Sequence, residues 1–175
     1  REAVGPDVAV WAKLNMYDGV GAPGPGRGPK PWRGFNVDEA CETARLFEAD
    51  GYIDAIEPTA GSSLLNPMYL FHGRPPRASF AAAFTGAMRA GLKTAGPVFL
   101  KYYPYHDAYL LPLARELRAA TSLPIILLGG ITDRASMDLA MAEGFDFVAM
   151  GRALLREPDL PRRIAADPDT VSRCT

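Results

Sequence analysis

Residues 123–152 limit the folds open to this chain more than any other stretch. They read Leu123-Pro-Ile-Ile-Leu-Leu-Gly-Gly-Ile-Thr132, then a helical run, then Phe145-Asp-Phe-Val-Ala-Met-Gly-Arg152. A short apolar run, a glycine pair, a helix and a second apolar run ending in Gly-Arg make a βαβ unit. Residues 125–128 and 147–150 are continuously apolar rather than alternating, the pattern of parallel strands buried on both faces. The glycines fall where the strands end, where a backbone without Cβ lets an anion approach its N–H groups. Thr132 is placed to cap the following helix, whose N-terminus favours negative charge. Arg152 adds a fixed cationic fork just after the second strand. Gly129, Gly130, Gly151 and Arg152 together read as a phosphate clamp. Taken singly, the glycine pair is also compatible with a tight turn and the arginine with a surface ion pair.

Clamps of this kind occupy the loops after strands 7 and 8 of a TIM barrel. The remainder of the chain fits βα units. Residues 7–15 form a first strand with Lys13 near its C-terminal end. A lysine there needs an anionic or acceptor partner, or an edge position from which it reaches solvent. Residues 16–35 form a long loop rich in Gly and Pro, basic at Arg27, Lys30 and Arg33 and anchored by Trp32. It suits a lid or an interface arm. Asn36 and Glu39 have capping-box spacing ahead of an amphipathic helix that Gly51 stops. A strand over 52–58 follows and carries Glu57, read as a site acceptor or as the partner of a nearby cation.

Residues 63–97 depart from a minimal βα repeat and look like an insertion, helical over 79–92 although Gly86 weakens it. His72 and His106 are isolated, so no metal site is expected. Tyr102, Tyr103 and Tyr105 lie in an aromatic connector, where packing is the simpler role. A helix over 108–121 leads to the Gly-Gly strand, and a short helical hairpin follows Arg152. The tail over 167–175 is polar, with no evident finishing element.

A near-neutral chain, with formal net charge -1 over 175 residues, offers no electrostatic case for nucleic acid. No apolar run approaches the roughly 20 residues of a membrane helix, and residues 8–12 lack the basic leader of a secretory signal. Cys41 and Cys174 are far apart, so a reducing cytoplasm is the expected compartment.

Three stretches carry a resemblance to a known family: Val10-Trp-Ala-Lys-Leu-Asn15, residues 123–131, and Phe145-Asp-Phe-Val-Ala-Met-Gly-Arg-Ala-Leu-Leu-Arg-Glu-Pro-Asp-Leu160. They resemble the second half of the old yellow enzyme family, FMN-dependent NAD(P)H:flavin oxidoreductases and enoate reductases with a TIM-barrel fold. The resemblance runs through most of the chain and is weakest over 63–97. It implies that Lys13 lies against the N1/O2 edge of the flavin, where a cation stabilises negative charge on the reduced ring. It also implies that Gly130, Gly151 and Arg152 hold the FMN phosphate, with Gly129 nearby. NAD(P)H would be the reductant and an enone-type compound the substrate. The family's substrate-binding pair and tyrosine proton donor have no counterpart here, so the catalytic residues are unassigned.

The expected fold is therefore α/β: one domain over 1–175, a parallel (βα) half of a TIM barrel corresponding to strands 5–8, with an inserted helical segment over 63–97. A half-barrel implies a truncated product, one piece of a split enzyme beside a separate N-terminal half, or self-association. Two alternatives use the same residues. One is a barrel fragment that binds a phosphorylated ligand for isomerase or lyase chemistry. The other is a non-catalytic assembly module.

Overall fold

The structure, a computed structural model, describes residues 2–18, 34–63 and 66–174, with the side chains of Val98 and Phe99 left aside. The predicted basic loop, with Arg27, Lys30, Trp32 and Arg33, lies almost wholly outside the described residues. In chain order the elements are β1 (Trp11–Asn15), α1 (Val37–Asp50), β2 (Ala55–Thr59), α2 (Arg77–Ala82), α3 (Gly86–Phe99), α4 (Leu111–Ala120), β3 (Ile126–Leu128), α5 (Arg134–Ala142), β4 (Phe147–Ala149), α6 (Arg152–Arg156) and α7 (Leu160–Ala166).

All strand pairing between these elements is parallel. β1 pairs β2 with Lys13 opposite Glu57, and β3 pairs β4 with Leu127 opposite Val148. A parallel bridge from Ile56 to Ile125 joins the two pairs, and Ile56 N–H donates to the Pro124 oxygen at 2.9 Å. The spatial order is thus β1-β2-β3-β4, each strand beside the next in sequence. The four strands do not close into a barrel.

Side-chain alternation divides the sheet into two faces. Leu14, Ile56, Ile125 and Leu127 lie under the helices, in one core with Val37, Ala40, Ala44, Leu113, Ala114 and Leu117. Ile125, Leu127 and Leu117 are fully buried, each contributing about 1.5–3 kcal/mol relative to exposure. The other face is open and carries Trp11 and Phe147, 59% and 56% exposed, with Lys13, Glu57, Leu128 and Ala149. This corrects the expectation that β3 and β4 are buried on both faces: the helix side is the better covered, because among the described residues no second layer packs on the open side.

Local chemistry explains the better-read elements. Asn36 and Glu39 form the predicted capping box: Asn36 Oδ1 accepts from Asp38 N at 2.9 Å, and Asn36 N donates to Glu39 at 3.0 Å. Gly51 closes α1 in the left-handed conformation, φ 68°. The predicted helix over 79–92 is instead two helices, α2 and α3, separated at residues 83–85. Thr85 is extended and Gly86 adopts φ 58°, so the glycine that weakened one helix begins another.

Candidate functional site

Lys13, Gly129, Gly130, Gly151 and Arg152 line one cavity of about 230 Å3, which lies at the C-terminal ends of the strands. Its wall also includes Glu57, Leu70, Phe71, Tyr105, Tyr109, Thr132 and Cys174. Ligands of parallel α/β sheets bind at this end because the helix starts and connecting loops gather there.

β1 and β2 set the charges on one side. Parallel register places Lys13 beside Glu57, and their side chains pair at 3.2 Å. The Lys13 side chain is 61% exposed and that of Glu57 16%. The lysine therefore has a partner but keeps access to the cavity.

Gly129 and Gly130 have a role in packing that the sequence did not reveal. They adopt φ 98° and 78°, and a Cβ on Gly129 would meet Leu110 Cγ at 2.8 Å. A Cβ on Gly130 would meet the His106 oxygen at 2.8 Å and Ala108 N at 2.9 Å. The pair is glycine because the turn into α4 packs directly onto it. Gly151 differs: its φ is -89°, and a Cβ there would meet nothing within 4 Å. Neither backbone strain nor packing within the described residues calls for glycine at 151.

Arg152 Nη2 donates to the His72 carbonyl oxygen at 3.1 Å, and its guanidinium carbon lies 5.6 Å from the Phe71 ring centre. Residues 70–72, from the predicted insertion, are thereby tied to the end of β4. His72 is an aromatic packing residue. Its ring stacks on Tyr109 at 4.1 Å between centres and on Tyr103 at 5.4 Å. Nδ1 lies 3.2 Å from the Pro104 oxygen. Burial holds its pKa below the usual histidine value, helped by His106 and Arg152. The Tyr109 hydroxyl donates to the Leu70 oxygen at 2.7 Å.

The cap of α5 corrects a sequence expectation. Asp133, not Thr132, is the N-cap, and its carboxylate accepts from Ser136 N at 2.8 Å. Ser136 Oγ in turn accepts from Thr132 N and Asp133 N. The N–H groups of Thr132, Asp133 and Ser136 are thus satisfied internally, beside a carboxylate. Thr132 instead faces Tyr105, with hydroxyl oxygens 3.1 Å apart. Burial, opposed by the Thr132 hydroxyl and reinforced by Asp107, pushes the Tyr105 phenol up to about 12.

Tyr109 and Cys174 were missed by sequence reasoning. Tyr109 reads as one more apolar helix residue, and nothing local signals that the polar tail returns. Yet it does: Val171 bridges Asp133, Ser172 N donates to the Thr132 oxygen at 2.9 Å, and Cys174 joins the cavity wall. Glu157 holds this return, accepting from Ser172 Oγ at 2.6 Å and Arg173 N at 2.7 Å. Those two bonds, with Arg163, bring its carboxyl down to about 2.

Among the described residues no group of three or more His, Cys, Asp or Glu could hold a metal ion, and no helix is long and apolar enough to cross a membrane.

The fold and cavity define a parallel α/β protein with a cavity at its strand ends. The donors suit a phosphorylated, partly aromatic ligand: a guanidinium and an open glycine at one end, a lysine at the other, tyrosines between. The cavity, at about 230 Å3, is smaller than the roughly 300–1,000 Å3 of typical ligand pockets. No protein-family profile matches the chain. It is 45% identical over 167 residues to the 4,4'-dithiodibutanoate disulfide reductase of Rhodococcus erythropolis, covering 95% of this chain and 39% of that protein. It is 31% identical over 75 residues to an NADH oxidase of Thermoanaerobacter brockii, covering 42% of this chain and 12% of that protein. The chain thus spans well under half the length of the relatives it matches. Both relatives carry oxidoreductase names.

Proposed function

We propose that the chain is the phosphate-side half of an FMN site in an NAD(P)H-dependent oxidoreductase of the old yellow enzyme type, built on half of a TIM barrel. The observation that carries this is the convergence of Lys13, Gly129, Gly130, Gly151 and Arg152 on one cavity, with open space above Gly151. FMN, when bound, supplies two-electron transfer between a nicotinamide and an acceptor. Arg152 binds the phosphate as a fixed cation, and Gly151 lets the oxygens approach the backbone. Gly129 and Gly130 shape the adjoining wall. Lys13 sits where a cation stabilises charge at the edge of the ring. Fluorescence quenching tests the reading: the chain should bind FMN, and Arg152→Ala should weaken binding markedly. No binding by the parent chain overturns it.

A second reading concerns the acceptor. The Rhodococcus relative is named for a disulfide substrate, and its likeness spans 95% of this chain. An organic disulfide is then a better candidate than an enone. In balance, RSSR, NAD(P)H and one proton give two thiols and NAD(P)+: the S–S bond breaks and takes two electrons, and the nicotinamide is oxidised. A complete enzyme would distinguish the two by the acceptor that sustains NAD(P)H oxidation.

A further inference from the structure

We propose that Glu57 is a positioning residue that pins the Lys13 ammonium at the cavity and offsets part of the positive charge it presents to the bound ring. The inference rests on the FMN reading above. The two residues are register partners on adjacent parallel strands and both line the cavity. Glu57 is the one carboxylate among the described lining residues, facing two cations, Lys13 and Arg152. Arg152 is directed to His72 and Phe71, so the charge of Glu57 acts mainly on Lys13, 3.2 Å away.

The simpler alternative is a solvent ion pair at a strand end, which contributes little to stability. Such a pair leaves both partners exposed. Here the carboxylate is sunk into the wall at 16% exposure while the ammonium rises from it at 61%. A lysine has a flexible stem and a strongly hydrated head. A recessed carboxylate at its base limits where that head goes and sets the net charge of the pair. The ring edge then meets a compensated cation, not a bare one. Removing the lysine and removing the carboxylate should therefore act in opposite directions on an electron-rich ligand.

The test measures affinities of the 175-residue chain for oxidised and for reduced FMN, and takes their ratio. Glu57→Gln removes the charge but keeps an oxygen that can hold the ammonium. It should shift the ratio toward reduced FMN by about three- to ten-fold, the size of a charge interaction in a partly wet site. Lys13→Met should shift it the other way, and the double variant should return close to the parent. Glu57→Asp, which keeps the charge, should stay near the parent and serves if the glutamine variant folds poorly. A ratio unchanged in Glu57→Gln, with a lowered melting temperature, overturns the proposal and makes the pair structural. No FMN binding by the parent defeats the FMN reading itself. Acetylation of the flavin-free chain then decides whether the lysine is held: Lys13 should be modified faster in Glu57→Ala than in the parent, relative to Lys93 and Lys101, and equal rates exclude it.

Discussion

Arg152 Nη2 donates to the backbone oxygen of His72 at 3.1 Å, across 80 residues of chain. The contact links the end of β4 to the segment that departs most from a plain βα repeat, so that segment forms a wall of the candidate site. It also means that Arg152 is not a free surface cation. Its stem and plane are oriented by the Phe71 ring and the His72 carbonyl before any ligand arrives, which reduces the ordering cost of binding.

Arg152→Ala should weaken FMN binding by about 1.5–3 kcal/mol, the scale of a charge-assisted hydrogen bond. It should also loosen residues 70–73, seen as faster amide exchange there. Unchanged affinity by fluorescence quenching would remove Arg152 from the site.

Lys13→Met should lower the flavin potential in a loaded enzyme while moving the melting temperature little, because an ion pair with a 61% exposed lysine contributes at most about 1 kcal/mol. Potentiometry and calorimetry on the same samples check both halves. A large loss of stability with an unaltered potential would make Lys13 structural.

The glycines should separate. Gly129→Ala and Gly130→Ala place a Cβ within 3 Å of neighbours at positive φ, and should destabilise by about 1–3 kcal/mol or more. Gly151→Ala meets open space and should leave denaturant midpoints within about 0.5 kcal/mol of the parent, yet weaken FMN binding. A Gly151→Ala protein that binds FMN like the parent would assign the open space no ligand role.

Glu157 should make stability depend on pH. Its folded pKa, about 2, lies below the ordinary 4.5. The stabilisation is therefore fully present above the unfolded value and is lost as pH falls from about 4.5 toward 2. Melting temperatures from pH 6 to 3 should drop less steeply in Glu157→Gln than in the parent. The same variant should release the tail and raise the rate at which Cys174 reacts with a thiol reagent. Parallel pH profiles would sink the claim.

Trp11 and Phe147 lie on the uncovered face of the sheet, and β1 and β4 each lack a second strand neighbour among the described residues. Open edges and an apolar face favour association. Sedimentation equilibrium at low micromolar concentration should show self-association, or monomers that gain stability only with a separate N-terminal half. Trp11→Glu and Phe147→Glu should shift a self-associating chain toward monomer. A cooperative monomer unaffected by either change would show that the open face needs no partner.

Much of the local architecture was legible in the sequence because it depends on near neighbours. The capping box at Asn36 and Glu39, the stop at Gly51 and the βα alternation follow from side chains reaching their own backbone and from apolar periodicity. So does the placing of Lys13, Gly130 and Arg152 at strand ends, which brings them together once the strands run parallel. Tertiary structure decided the rest, because it depends on which distant segment arrives. Nothing near Gly129 and Gly130 announces that the turn at 106–110 packs against them. Thr132 and Asp133 are equally good caps by type, and the approach of Tyr105 to the Thr132 hydroxyl accompanies a cap at Asp133. The tail looks unstructured until Glu157 gathers Ser172 and Arg173. The return of residues 70–72 onto Arg152 spans 80 positions, a distance over which sequence periodicity carries no information and only packing does.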